Sequence, residues 1–231
     1  MIPRENPQKD DFERFYEEID PWKVNENIIT EITVSKLRHL FSQRKFQKGI
    51  DLGCGEGVIT SRLNFVKDWT AYDISENAIN RAKAKYPAIN FAVMDINEIS
   101  KSNKSTFDFL LCLETIYYLP PDQRLKFIRN LKLLGTESAY YCISLVVSGP
   151  SQYRDYPTFD EAYDFLSEFF IIEQVLPISV KELHFSKIIK YIFKVEKLIP
   201  LTSLRKSLYI KYLKETDLQS AHQALFILRA F

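Results

Sequence analysis

A chain of 231 residues, 46% of them hydrophobic, can bury a sizeable core as one large α/β domain or as a domain with a small appendage. Its net charge of +1 gives no global reason to expect nucleic acid, and no apolar run approaches the roughly 20 residues that span a bilayer. The polar, proline-punctuated start (Met1 to Pro7) does not read as a secretory signal. Cys54, Cys112 and Cys142 are an odd number without metal spacing, so reduced thiols in a cytoplasmic protein are expected.

In chain order, the first stretch is amphipathic and aromatic (Phe12, Phe15, Tyr16, Ile19, Trp22). It reads as a helical lid over residues 1–44, ahead of a main domain over 45–231. Gly49-Ile50-Asp51-Leu52-Gly53-Cys54-Gly55-Glu56-Gly57 is a short apolar strand running into three glycines at alternate positions. There the backbone must turn sharply and admit a ligand closer than any Cβ allows. A helix from Val58 to Leu63 is expected to follow, its free N–H groups favouring an anionic or polar ligand. Trp69 to Asp73 reads as a second strand. Ser75 is the N-cap of a helix carrying Ala78, Ile79, Ala82 and Tyr86 at helical spacing, which Pro87 stops. Asn90 to Met94 is a third strand, and Thr106 to Leu113 is the continuous apolar run of a strand buried on both faces. Pro120 and Pro121 open a helix with Leu125, Ile128 and Leu131 on one face. Ala139–Val147, Phe169–Val175 and Ala224–Leu228 complete the strands. Alternating strands and helices predict a doubly wound, mostly parallel seven-stranded sheet that binds its ligand at the carboxyl ends of the strands.

Asp73 ends the second strand about 20 residues after the glycine loop, where a carboxylate accepts both hydroxyls of a ribose. Asp95 ends the third, where it can accept from an adenine amine. The glycine loop is not a dinucleotide fingerprint, since Val58 stands where the third spaced element should fall. With Asp51 two residues before the first glycine, residues 45 to 147 instead resemble the class I S-adenosylmethionine (SAM) methyltransferases. That resemblance implies SAM as cofactor, with Asp73 at the ribose, Asp95 at the adenine, Gly53, Gly55 and Gly57 around the amino-acid moiety, and Asp51, Cys54, Ile74, Ile96 and Leu113 as further cofactor-binding residues. Phe12 to Tyr16, Asp20-Pro21-Trp22 and the run Cys112 to Leu119 resemble the nodulation protein S family, N-methyltransferases of an amino sugar. The likeness implies that Trp22 belongs to a cover over the cofactor and that Glu114 and Tyr117 sit at the acceptor.

Methyl transfer asks mainly for alignment, and an amine acceptor must also shed a proton, which Glu114 or a tyrosine can take. The other readings are an O-methyltransferase acting on a sugar, lipid or other metabolite, and a SAM-binding regulatory or assembly protein without turnover. Between Lys181 and Lys214 nine Lys/Arg stand against Glu182 and Glu196, which is +7 locally and leaves −6 elsewhere. This segment is expected to form a basic helical insertion at about 178–218. It packs with solvated lysines or meets an anionic partner such as a membrane face or a phosphorylated substrate.

Overall fold

Seven strands form one sheet in the computed structural model, which describes residues 7–99, 106–151, 154–180, 213 and 218–231. They are β1 (Phe46–Leu52), β2 (Val66–Asp73), β3 (Asn90–Val93), β4 (Phe107–Leu113), β5 (Gly135–Val146), β6 (Phe170–Val180) and β7 (Ala221–Ala230), in the order β3-β2-β1-β4-β5-β7-β6. All neighbours pair in parallel except β7, which runs antiparallel to both β5 and β6. The expected doubly wound sheet is therefore present, with a hairpin at one edge. Its order reverses between β1 and β4, where the two halves diverge and leave a crevice at the strands' carboxyl ends.

The described residues also form five α-helices: α1 (Lys9–Phe15), α2 (Ile28–Leu40), α3 (Glu76–Lys85), α4 (Pro121–Leu134) and α5 (Phe159–Ser167). The apolar run of β4 explains why both faces are covered. Leu110 and Cys112 pack with Phe127, Ile128 and Leu131 of α4, while Phe109 and Leu111 pack with Ile32 and Leu37 of α2. On the α2 side Phe41, Phe46, Phe65, Trp69 and Phe109 form mostly edge-to-face pairs with centroids 4.9 to 6.0 Å apart. Such pairs contribute about 0.5–1.5 kcal/mol each beyond the area they bury. Asp108, at the start of β4, accepts from the backbone N–H groups of Gln47 (2.7 Å) and Lys48 (2.9 Å) and so pins β1 to β4.

Several local expectations need correction. The helix expected from Val58 to Leu63 is only a 3₁₀ turn, Thr60–Arg62. Gly57 leaves in the left-handed region (φ +74°) and β2 begins at Val66, so the chain has room for one tight turn. Val58, Leu63 and Phe65 spend that turn filling the core. The glycine loop therefore does not lead directly into an α-helix. The strands β2, β6 and β7 extend further than expected, and α5 was not anticipated. Within the stretch expected as a lid, α2 buries Ile32, Val34 and Leu37 in the core. The basic helices expected between 181 and 214 lie outside the described residues, Leu213 apart.

Gly57 shows how tightly the loop packs. A Cβ there would sit 2.6 Å from Cζ of Phe91, in a backbone conformation that L side chains avoid. Gly57→Ala is expected to cost about 2 kcal/mol, roughly 4–8 °C in Tm by thermal unfolding. An unchanged Tm would show that Phe91 yields freely.

Candidate active site

The crevice at the ends of β1, β2, β3 and β4 holds a cavity of about 680 Å³, within the range of small-molecule sites. At the end of β2, Asp73 is buried, and its two oxygens accept from the backbone N–H groups of Gly55 (2.8 Å) and Ser75 (3.0 Å). Burial raises its pKa while these donors pull it back. A carboxylate offers about four acceptor positions, so two amide donors leave capacity for a diol. Ile74 follows it on the cavity wall.

At the end of β1, Asp51 is also buried, and its pKa is pushed to about 7 by burial. The Thr60 hydroxyl donates to it at 2.5 Å and lowers the value, while the charge of Asp73 raises it. Gly53, Cys54 and Gly55 continue that wall. Gly55 has φ +54°, and a Cβ on it would meet the Tyr16 hydroxyl at 2.7 Å, so this position must be bare for the roof to close. The third glycine of the motif, Gly57, does not line the cavity, and its side faces Phe91 instead. Asp95 lines it with Ile96, and one Asp95 oxygen accepts from the N–H of Asn97 (2.9 Å), capping a 3₁₀ turn. The structure thus gives Asp95 a turn-capping role and a place on the wall at once.

Residues 7–27 form the roof. Glu13 on α1 sits at the N-terminus of α3, accepting from the Ser75 hydroxyl (2.6 Å) and the Asn77 N–H (3.0 Å), where the helix dipole favours a carboxylate. Arg81 on α3 donates to the carbonyls of Tyr16 (2.6 Å) and Glu18 (3.0 Å) and pairs with Glu56 at 2.9 Å. Glu56 accepts in turn from the Asp20 N–H at 2.9 Å. Trp22 lies against Phe15 (4.4 Å between centroids) and Tyr118 (6.3 Å) on the cavity's edge, still 39% exposed. Asp20 and Lys23, on either side of Pro21 and Trp22, have φ of +48° and +53°. α1 has no buried residues, so the roof is expected to open more easily than the core. Arg81→Ala is expected to speed limited proteolysis between residues 9 and 27 severalfold, and bound S-adenosylhomocysteine (SAH) to slow it. Cleavage indifferent to both would show that neither the clamp nor the ligand holds the roof.

The far end of the cavity belongs to Leu113 and Glu114, at the end of β4. Glu114 has φ +54°, a strained conformation for a side-chain-bearing residue and one that clusters at functional sites. Its carboxylate accepts from the Ser144 hydroxyl (2.8 Å), the Gln223 amide (2.9 Å) and the Tyr117 hydroxyl (3.2 Å). Burial pushes its pKa up, and the three donors pull it down. Burial and the Glu114 charge hold the Tyr117 hydroxyl protonated. Ser144, Gln223 and Tyr156 line the cavity without having been singled out in the sequence, while Tyr16 reaches it from the stretch expected as a lid. Only Ser144 left a signal there, as the lone polar residue within the apolar run of β5.

The residues present fit S-adenosylmethionine: a buried carboxylate with spare acceptor positions, a glycine wall, and six carboxylates (Asp20, Asp51, Glu56, Asp73, Asp95, Glu114) against Lys9 for a ligand with two cationic groups.

Residues 50–134 match the model of a family described as a methyltransferase domain. Among solved structures, the chain is similar to the N-methyltransferase NodS from Bradyrhizobium japonicum WM9 in complex with SAH, with TM-score 0.69 and 17% identity over 96% of this chain and 97% of that one. It is similar to the [4+2]-cyclase SpnF, with TM-score 0.66 and 12% identity over 99% and 98%. A TehB-like SAM-dependent methyltransferase from Corynebacterium glutamicum matches with TM-score 0.57 and 15% identity over 86% and 87%. These likenesses show the fold they share. A comparison with curated proteins gave no match.

Proposed function

We propose that this chain is a SAM-dependent methyltransferase and that it transfers the methyl group to an amine on a small molecule or glycan, with an amino sugar as the first acceptor to try. The observation that carries the reading is Glu114, a buried carboxylate held by three donors at the end of β4, facing a cavity whose charged lining is six carboxylates and one lysine. Such a wall attracts a cationic or neutral amine and repels the anionic acceptor that the basic segment suggests.

When bound, S-adenosylmethionine supplies a methyl group whose bond pair returns to sulfur as the acceptor's lone pair attacks. Asp73 holds the ribose, while Tyr16 and Trp22 close the roof and exclude water. Glu114 orients the amine and accepts the proton it must shed. The aromatic edge (Phe12, Trp22, Tyr118) suits stacking against a sugar ring. The resemblance of the Asp20-Pro21-Trp22 and Cys112 to Leu119 segments to amino-sugar N-methyltransferases supports the same acceptor.

A panel of free amino sugars, their N-acetylated forms and phosphorylated sugars, with SAH release and product mass as readouts, tests this. N-methylation confined to acceptors with a free amine is the expected result. Methylation of hydroxyls alone would overturn the amine reading. SAM binding without turnover on any acceptor would favour a regulatory protein.

A further inference from the structure

We propose that Gln223, set by Ser179, is a positioning residue that keeps the Glu114 carboxylate charged and fixed at the acceptor end of the cavity. The inference rests on the reading of Glu114 as the group that meets the acceptor.

Glu114 accepts three hydrogen bonds, and the three donors come from different parts of the fold. Tyr117 belongs to the turn after β4, Ser144 to β5 and Gln223 to β7. The Ser144 oxygen also accepts from the Glu114 N–H at 3.1 Å, so this hydroxyl holds both the backbone and the side chain of a residue at φ +54°. Gln223 is different, because an amide presents either its NH₂ or its oxygen. Here Ser179 decides: its hydroxyl donates to Gln223 Oε1 at 2.7 Å, which turns the NH₂ toward Glu114 Oε2 at 2.9 Å. An amide turned the other way would set oxygen against oxygen unless Glu114 carried a proton.

The local backbone is built for this contact. β6 slips register on both sides of Ser179, between Pro177 and Ser179 and again between Ser179 and Val180. Bulges of this kind re-aim a side chain, and they leave Ser179 buried opposite Gln223. A buried serine and a partly buried glutamine carry a desolvation cost, which their mutual bond and the bond to Glu114 offset.

Three further titratable groups among the described residues interact with Glu114, and none of the three supplies a competing charge. Cys112 on β4, Tyr118 in the turn after it and Tyr156 after β5 are neutral near pH 7, their pKa values raised first by burial. Arg154 lies over the Tyr118 ring at 4.4 Å. His222 precedes Gln223 on β7, so its side chain points to the other face of the sheet. Hydrogen bonds to the charged form, opposed by burial, therefore set the proton affinity of Glu114.

The test reads Glu114 directly. In protein labelled with ¹³C-glutamate, the Glu114 carboxyl resonance is identified by its loss in Glu114→Gln and titrated in the parent, Gln223→Leu and Ser179→Ala. Gln223→Leu is expected to move the midpoint upward. At the parent's midpoint the charged fraction should then fall about sevenfold or more, as for the loss of one charge-assisted hydrogen bond. Ser179→Ala should move it the same way by less, with SAH affinity near that of the parent. A Gln223→Leu midpoint equal to the parent's overturns the proposal. If that variant does not fold, an unchanged midpoint in Ser179→Ala overturns it equally. An upward shift in a protein that methylates no amine upholds the positioning role and sinks only the amine reading.

Discussion

Asp73→Asn is expected to weaken SAH binding at least tenfold in a calorimetric titration. The substitution keeps the shape of the side chain and removes its charge. It also places an NH₂ where one oxygen now accepts from the Gly55 or Ser75 N–H. A hydrogen bond to a charged group contributes about 1.5–3 kcal/mol, or ten- to over a hundredfold in affinity, and a ribose diol makes up to two of them. The variant must still fold for the result to count, and the intact network of Ser75 with Glu13 and Ala78 argues that it does. An affinity within twofold of the parent's would mean that the ribose is held elsewhere.

Glu114→Gln is expected to lower turnover at least a hundredfold while SAH affinity stays within about threefold. General-base contributions of about 10²–10⁴ set the scale. The same change puts an NH₂ against one of the Ser144, Tyr117 and Gln223 donors, so misorientation adds to the lost charge. Loss of turnover with cofactor affinity kept is the mark of an interaction made with the reacting group and not with the cofactor. A variant retaining most of the parent's rate would return Glu114 to a structural role at the strand end.

Much of the fold was legible because it rests on period and punctuation. The apolar run of β4, the Ser75 cap and the Pro120-Pro121 start of α4 each read as they fold, since burial on two faces and free helix ends leave direct marks in sequence. The helix after the glycine loop was misread because apolar Val58, Ile59 and Leu63 look helical, while the early start of β2 at Val66 decides the matter only in three dimensions. α5 went unread although its capping box, Thr158 with Glu161, is plain in the sequence.

The site divides along the same line. Asp51, Asp73, Asp95 and Glu114 are polar residues ending apolar strands, a pattern visible without coordinates of any kind. Gln223 and Ser179 reach Glu114 only through the pairing of β6 with β7 and of β7 with β5, contacts more than 40 residues apart in sequence. Gly57 shares the spacing of its neighbours but faces a phenylalanine, so spacing alone gave it a place at the ligand.

Calorimetric titration of the purified full chain with SAH, repeated with SAM, tests the central claim most directly. The arrangement of Asp73, the glycine wall and the six carboxylates predicts saturable one-to-one binding of both, with the cationic SAM no weaker than SAH. Absence of heat and of any Tm shift at millimolar concentrations of either would contradict it.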